Sequence, residues 1–156
     1  MLKKGLLATA VLAFITVFTV GGLQAGTEVA DTFMMKSDYP HKKGIVEFSH
    51  KKHNAEYGIA CGECHHDADH KPLNDLKMGD HVKKCIECHK KPGEVPREVK
   101  KEWKAKKIKK KEKDRLSLEY HAEAVHENCR TCHKEYNKKT KTKDAPTTCS
   151  KCHPKQ

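Results

Sequence analysis

The chain has 156 residues, 36% of them apolar, 6% aromatic and 34% charged, with a formal net charge of +11. That length holds one small domain, and so polar a composition excludes a conventional side-chain core. On charge alone, the partners that fit are nucleic acid or an acidic surface.

Residues 1–25 read as a signal peptide. Lys3 and Lys4 form a basic start, residues 5–20 are apolar without a charge, and Gly21 and Gly22 break the run. Cleavage is expected after Ala25. Leu23 is large for the −3 position, and an uncleaved anchor is the alternative, since a span needs ~20 apolar residues. Either reading puts residues 26–156 outside the cytoplasm, which argues against nucleic acid as a partner.

Residues 26–31 are a loose leader. Residues 32–36 and 45–48 are strand-like, and Asp38, Pro40 and Gly44 between them are turn residues, so a small hairpin is predicted. Ser49 is placed to cap a helix carrying His50 and His53, which are three apart and project from one side. Residues 67–80 read as a loop with Pro72, Asn74 and Gly79. Pro92, Gly93 and Pro96 break the chain again. A helix is predicted from about residue 97 to about 128, with an interruption near Lys110. It opens with a basic segment, 97–115, and continues through Leu118, His121, Ala122 and Val125 at helical spacing. Residues 134–143 read as a basic loop.

Four copies of Cys-x-x-Cys-His punctuate this chain: Cys61/Cys64/His65, Cys85/Cys88/His89, Cys129/Cys132/His133 and Cys149/Cys152/His153. The pattern is the signature of c-type haem attachment. Two thiols form thioethers to the porphyrin edge, and the next histidine becomes the first axial ligand. All eight cysteines are consumed, and spacings of 24, 44 and 20 residues exclude a strict repeat. Zinc and structural disulfides are the competing readings of such pairs. A histidine after every second cysteine, behind an export signal, disfavours zinc, and two-residue loops recurring four times with histidine are a poor framework for disulfides. Four porphyrins would supply the apolar core that the side chains lack. They also change the charge. Without Lys3 and Lys4, 30 cations face 21 acids, a net of +9. Four ferric haems with ionised propionates, at roughly −1 each, leave roughly +5.

There are 12 histidines. Beyond the four in the motifs stand His41, His50, His53, His66, His70, His81, His121 and His126, twice what four six-coordinate irons require. No open catalytic iron is needed, so an electron-transfer protein rather than an enzyme is expected. His66 adjoins His65 and is better placed for a neighbouring haem than for the same iron. Met34, Met35 and Met78 are expected in the hairpin or packing, and Trp103 against a haem face.

Val46-x-Phe48-x-His50-x-x-His53, followed by Cys-x-x-Cys-His65-His66, resembles the class III multihaem cytochromes c, the cytochrome c3 family. The likeness runs over about residues 33–153. It implies a small, mostly α and irregular multihaem fold with a short N-terminal β-hairpin, four c-type haems forming its core. Numbering haems by motif, it implies distal ligands His50 for haem 1, His66 for haem 2, His53 for haem 3 and His126 for haem 4. It leaves His41, His70, His81 and His121 as solvated or propionate-bonding residues. Many relatives have longer cysteine gaps in the second and fourth motifs, whereas all four here are Cys-x-x-Cys-His.

The function implied is a periplasmic, low-potential electron carrier of anaerobic respiration. Its partners would be periplasmic hydrogenase or formate dehydrogenase and membrane multihaem complexes. A membrane-anchored tetrahaem quinol dehydrogenase and a terminal reductase with one open haem are the alternatives. Docking is expected on a positive rim formed by lysines of 134–143 with Lys151 and Lys155, and the basic segment 97–115 is its rival.

Overall fold

The computed structural model describes residues 29–155; the signal peptide expectation falls on residues outside that range. Strands β1 (Thr32–Met34) and β2 (Glu47–Ser49) pair antiparallel, with Phe33 opposite Phe48. Those rings meet edge to face at 5.5 Å, the kind of cross-strand pair that holds a short ribbon. Met35 N–H extends the ladder to the Val46 carbonyl at 2.8 Å. The hairpin is therefore present, with shorter strands than predicted.

Ser49 leads into a π-helical turn, Lys51–Glu56, and its Oγ accepts from Lys52 N–H at 3.2 Å, as a cap does. The first cysteine motif opens on a 3-10 turn, Cys61–Glu63, and the second forms α1, Cys85–Cys88. Residues 67–84 contain no helix or strand.

Three helices follow where one long helix was predicted. α2, Arg97–Ala105, starts directly after Pro96. It stops where Lys107 turns left-handed (φ 51°) while Ile108 N–H bonds the Trp103 carbonyl and Lys107 N–H bonds that of Lys104. That is a Schellman ending with lysine in the place usually taken by glycine. α3 spans Lys110–Ser117, so the interruption near Lys110 is present. α4 spans His121–Thr140. The break before α4 was not predicted, and its cause is tertiary. Lys91 N–H bonds the Glu119 carbonyl, and the Lys91 and Gly93 carbonyls accept from His121 and Ala122 N–H at 2.8 and 3.0 Å. A strand-like bridge to the chain after the second motif thus satisfies donors that every helix start leaves open.

α4 also corrects the basic loop predicted at 134–143. The helix runs through the third motif to Thr140, because lysine is a good helix former and nothing before Lys141 breaks it. The fourth motif forms α5, Cys149–Cys152. α1 lies against α4.

Among the described residues, only Val95 (4% exposed) and Tyr120 (8%) are buried apolar side chains. Met34 and Met78 are more than half exposed, which places neither in a core. The described residues have almost no apolar interior of their own.

Candidate functional site

Each motif closes as a tight turn. The backbone N–H of His65, His89 and His153 donates to the carbonyl of the first cysteine of its own motif, at 2.9, 2.9 and 2.7 Å. The third motif achieves the same inside α4. Cysteines three apart then share one side of the turn, with the histidine next to them. None of the eight cysteines is joined to another in a disulfide. They converge across motifs: Cys129 is pushed up to about 11 by burial, then by Cys64, Cys152, Cys85 and Cys132 around it. Asn128 Nδ2 donates to the Cys64 carbonyl at 3.2 Å, tying α4 to the first motif.

The histidines face one another in pairs. His89 and His66 have ring centroids 6.1 Å apart, as do His133 and His53, and His153 and His126. His65 is held below the ordinary histidine range by burial, then by nearby His50 and His66. Three motif histidines are thus matched with one distant in sequence, and His65 has His50 and His66 nearby. Two imidazoles sharing one first-row metal, through bonds of about 2 Å, put their centroids roughly 6 Å apart once the half-rings are added. Among the described residues, no three His, Cys, Asp or Glu side chains gather around a point where a metal ion could sit. Donors in opposed twos suit an iron whose equatorial positions belong to a porphyrin, whereas zinc takes four.

The protonation of these rings is set from the backbone. His53 Nδ1 donates to the Ser49 carbonyl at 2.8 Å, His66 to Asp67 at 2.7 Å and His50 to Ala30 at 3.3 Å. His133 Nδ1 donates to the Pro146 carbonyl at 2.7 Å, His153 to Gly44 at 2.7 Å and His89 to Leu118. A carbonyl only accepts, so Nδ1 carries the proton and Nε2 keeps its lone pair for a metal. His126 instead has the Glu94 carboxylate 3.8 Å from Nδ1. Burial lowers its pKa, and Glu94 opposes that shift. These residues fit haem on donor chemistry, spacing and tautomer.

Phe48 stacks on His53 at 4.6 Å and stands edge-on to His50 at 5.0 Å, so one ring braces both helix histidines. The remaining histidines have other surroundings. Tyr39 hydroxyl bonds His121 Nδ1 at 2.8 Å, and Ser37 N–H donates to His41 Nε2 at 3.0 Å. His70, in a left-handed conformation at φ 61°, lies 5.2 Å from the His66 ring, and His81 is exposed. The positioning carbonyls of Gly44, Leu118 and Pro146 went unnoticed in the sequence. Gly44 was legible only as a turn residue.

No helix among the described residues is long and apolar enough to cross a membrane. No curated protein and no solved structure matches the chain. The family model described as Class III cytochrome C family matches residues 27–153, from the start of the expected mature chain to the last motif histidine. With all four Cys-x-x-Cys-His motifs inside that span, the chain belongs to the class III cytochrome c family, multihaem electron-transfer proteins with covalently bound haem.

Proposed function

We infer that the chain is a periplasmic, low-potential electron carrier holding four c-type haems, each between two histidines. The pairs are His65 and His50, His89 and His66, His133 and His53, and His153 and His126. The observation that carries this reading is the repeated 6.1 Å spacing, which in three cases joins a motif histidine to one remote in sequence. When bound, each haem supplies a one-electron iron couple. The chain's own residues do the rest. Paired imidazoles would hold each iron from both sides and leave no place for substrate, which favours a carrier over an enzyme. The Nδ1–H···O=C bonds of His50, His53, His66, His89, His133 and His153 make those imidazoles more basic, and histidine on both sides lacks the potential-raising effect of methionine. Both effects favour the ferric state and a low potential. The leader at residues 1–25 supports export to the periplasm. The proposed partners are periplasmic hydrogenase or formate dehydrogenase on one side and membrane multihaem complexes on the other.

The test counts iron and zinc per chain and records the EPR spectrum of the oxidised protein. Four irons, no zinc and only low-spin signals are expected, with no carbon monoxide binding after reduction. Two irons with zinc would overturn the haem count, and a high-spin iron that binds carbon monoxide would favour the terminal reductase. N-terminal sequencing of the mature protein separates a cleaved carrier from an anchored quinol dehydrogenase.

A further inference from the structure

The segment 97–115 holds eleven lysines and arginines against four acids. Four of those cations are already engaged. Lys100 pairs with Glu123, Lys106 with Glu102, Lys110 with Asp114 and Arg115 with Glu112. Seven remain without a carboxylate partner among the described residues. Three of these, Arg97, Lys101 and Lys104, lie at i, i+4 and i+7 on α2, which aligns them on one face, and all three are exposed. Val99 and Trp103 occupy another side of the helix and are half-buried. The segment is anchored at both ends beside proposed axial ligands. Glu94, just before α2, faces His126, and the Leu118 carbonyl, just after α3, accepts from His89.

We propose that the α2 stripe of Arg97, Lys101 and Lys104 is a docking surface for the acidic face of a redox protein, placed to exchange electrons with haems 2 and 4. This deepens the carrier reading and rests on it. Charge complementarity selects the partner's chemistry. The stripe runs about 10 Å along the helix, the scale of a patch within a small transient interface. A membrane-binding helix instead needs its apolar face free to enter lipid, and Val99 and Trp103 on that side of α2 are already half-buried. Lys106 and Lys110 are paired locally, so they add less to the attraction than the unpaired stripe. A carrier must both receive and release electrons. A surface here, separate from the lysines at the end of α4, gives it a second place to meet a partner.

The test uses the full holoprotein and a plant-type ferredoxin, a small low-potential protein, as acidic probe. One electron leaves the reduced cluster and enters a ferric haem, and no proton need move. The triple variant R97E/K101E/K104E should slow the second-order reduction at low salt by roughly tenfold. It should also flatten the salt dependence, because the Debye length is only ~8 Å at physiological ionic strength. Calorimetry should show weaker binding of oxidised ferredoxin to the same variant. R97Q/K101Q/K104Q should act in the same direction by less, which separates charge from misfolding. K106Q/K110Q should change rate and binding less than twofold. Unchanged binding and rate in both stripe variants, with four haems retained, would overturn the docking surface and leave the carrier reading intact. Loss of binding to phosphatidylglycerol vesicles without loss of ferredoxin binding would overturn it in favour of a lipid surface. A chain lacking haem would instead remove the function on which the inference rests.

Discussion

His153 donates from Nδ1 to the carbonyl of Gly44 at 2.7 Å, joining the last motif to the hairpin connection across 109 residues. Gly44 is there because nothing larger fits. A Cβ built on it would lie 2.2 Å from the backbone oxygen of Pro154 and 2.9 Å from that ring. Replacing Gly44 with Ala should push the two segments apart and cost about 1–3 kcal/mol in thermal unfolding. The freed imidazole would become a weaker base, so the potential of haem 4 should rise. A hydrogen bond worth ~1 kcal/mol corresponds to about 40 mV for one electron. A potentiometric titration resolving the four haems should show one shifted and three nearly unmoved.

The facing of His66 and His89 gives a sharper test of haem 2. Changing His66 to Met should raise that potential alone, since methionine ligation raises potential. His70 stands 5.2 Å from His66 and could take its place at the iron. The variant His66→Met with His70→Ala should therefore show the shift at full size. If His70→Ala or His81→Ala alone produces the shift and His66→Met is silent, the proposed pair is wrong.

Lys134 and Lys138 are one turn apart near the end of α4, with Lys139 beside them, and all three are exposed. Reversing these three to Glu should slow reduction by a partner docking beside haems 3 and 4 several-fold and flatten its salt dependence. Stopped-flow reduction across a salt series measures both effects. A rate that keeps its salt slope would remove the rim from the docking site.

Lys141 closes α4 in a left-handed conformation at φ 57°. A non-glycine residue there costs roughly 1–2 kcal/mol, and glycine gives back part of that through its freer unfolded chain. Lys141→Gly should stabilise the protein by up to about 1 kcal/mol. Thermal unfolding should show a raised midpoint with unchanged helix content. Were residues 134–143 a loop, the substitution would have no helix end to stabilise and the midpoint would fall or stay.

The attachment motifs were legible because they are side-chain chemistry at short, fixed spacing, whereas the candidate partners of their histidines came from the family resemblance. The hairpin was legible from Pro40, Gly44 and the aromatic residues around it. The helix after Pro96 was legible too, but its second break was not. That break follows from a bridge between Lys91 and Tyr120, residues that nothing local brings together. The carbonyls that orient the histidines left no trace for the same reason. Any residue offers a carbonyl, so Leu118 and Pro146 act through position rather than identity. The helical state of residues 134–140 was misread because a run of lysines looks like a solvated loop, although lysine alone does not end a helix.

With only Val95 and Tyr120 as buried apolar side chains, the described polypeptide has almost nothing to collapse around before its prosthetic groups arrive. Hydrophobic burial, the main force for folding, would then come chiefly from porphyrin. On the proposed reading, maturation runs in a fixed order: export as an open chain, covalent loading of each Cys-x-x-Cys-His, and only then the closing of histidine pairs that are not adjacent in sequence. A chain that misses even one haem would stay open to proteases. Proteolysis would thus act as a quality check on maturation, and the surviving molecules would be the fully loaded ones.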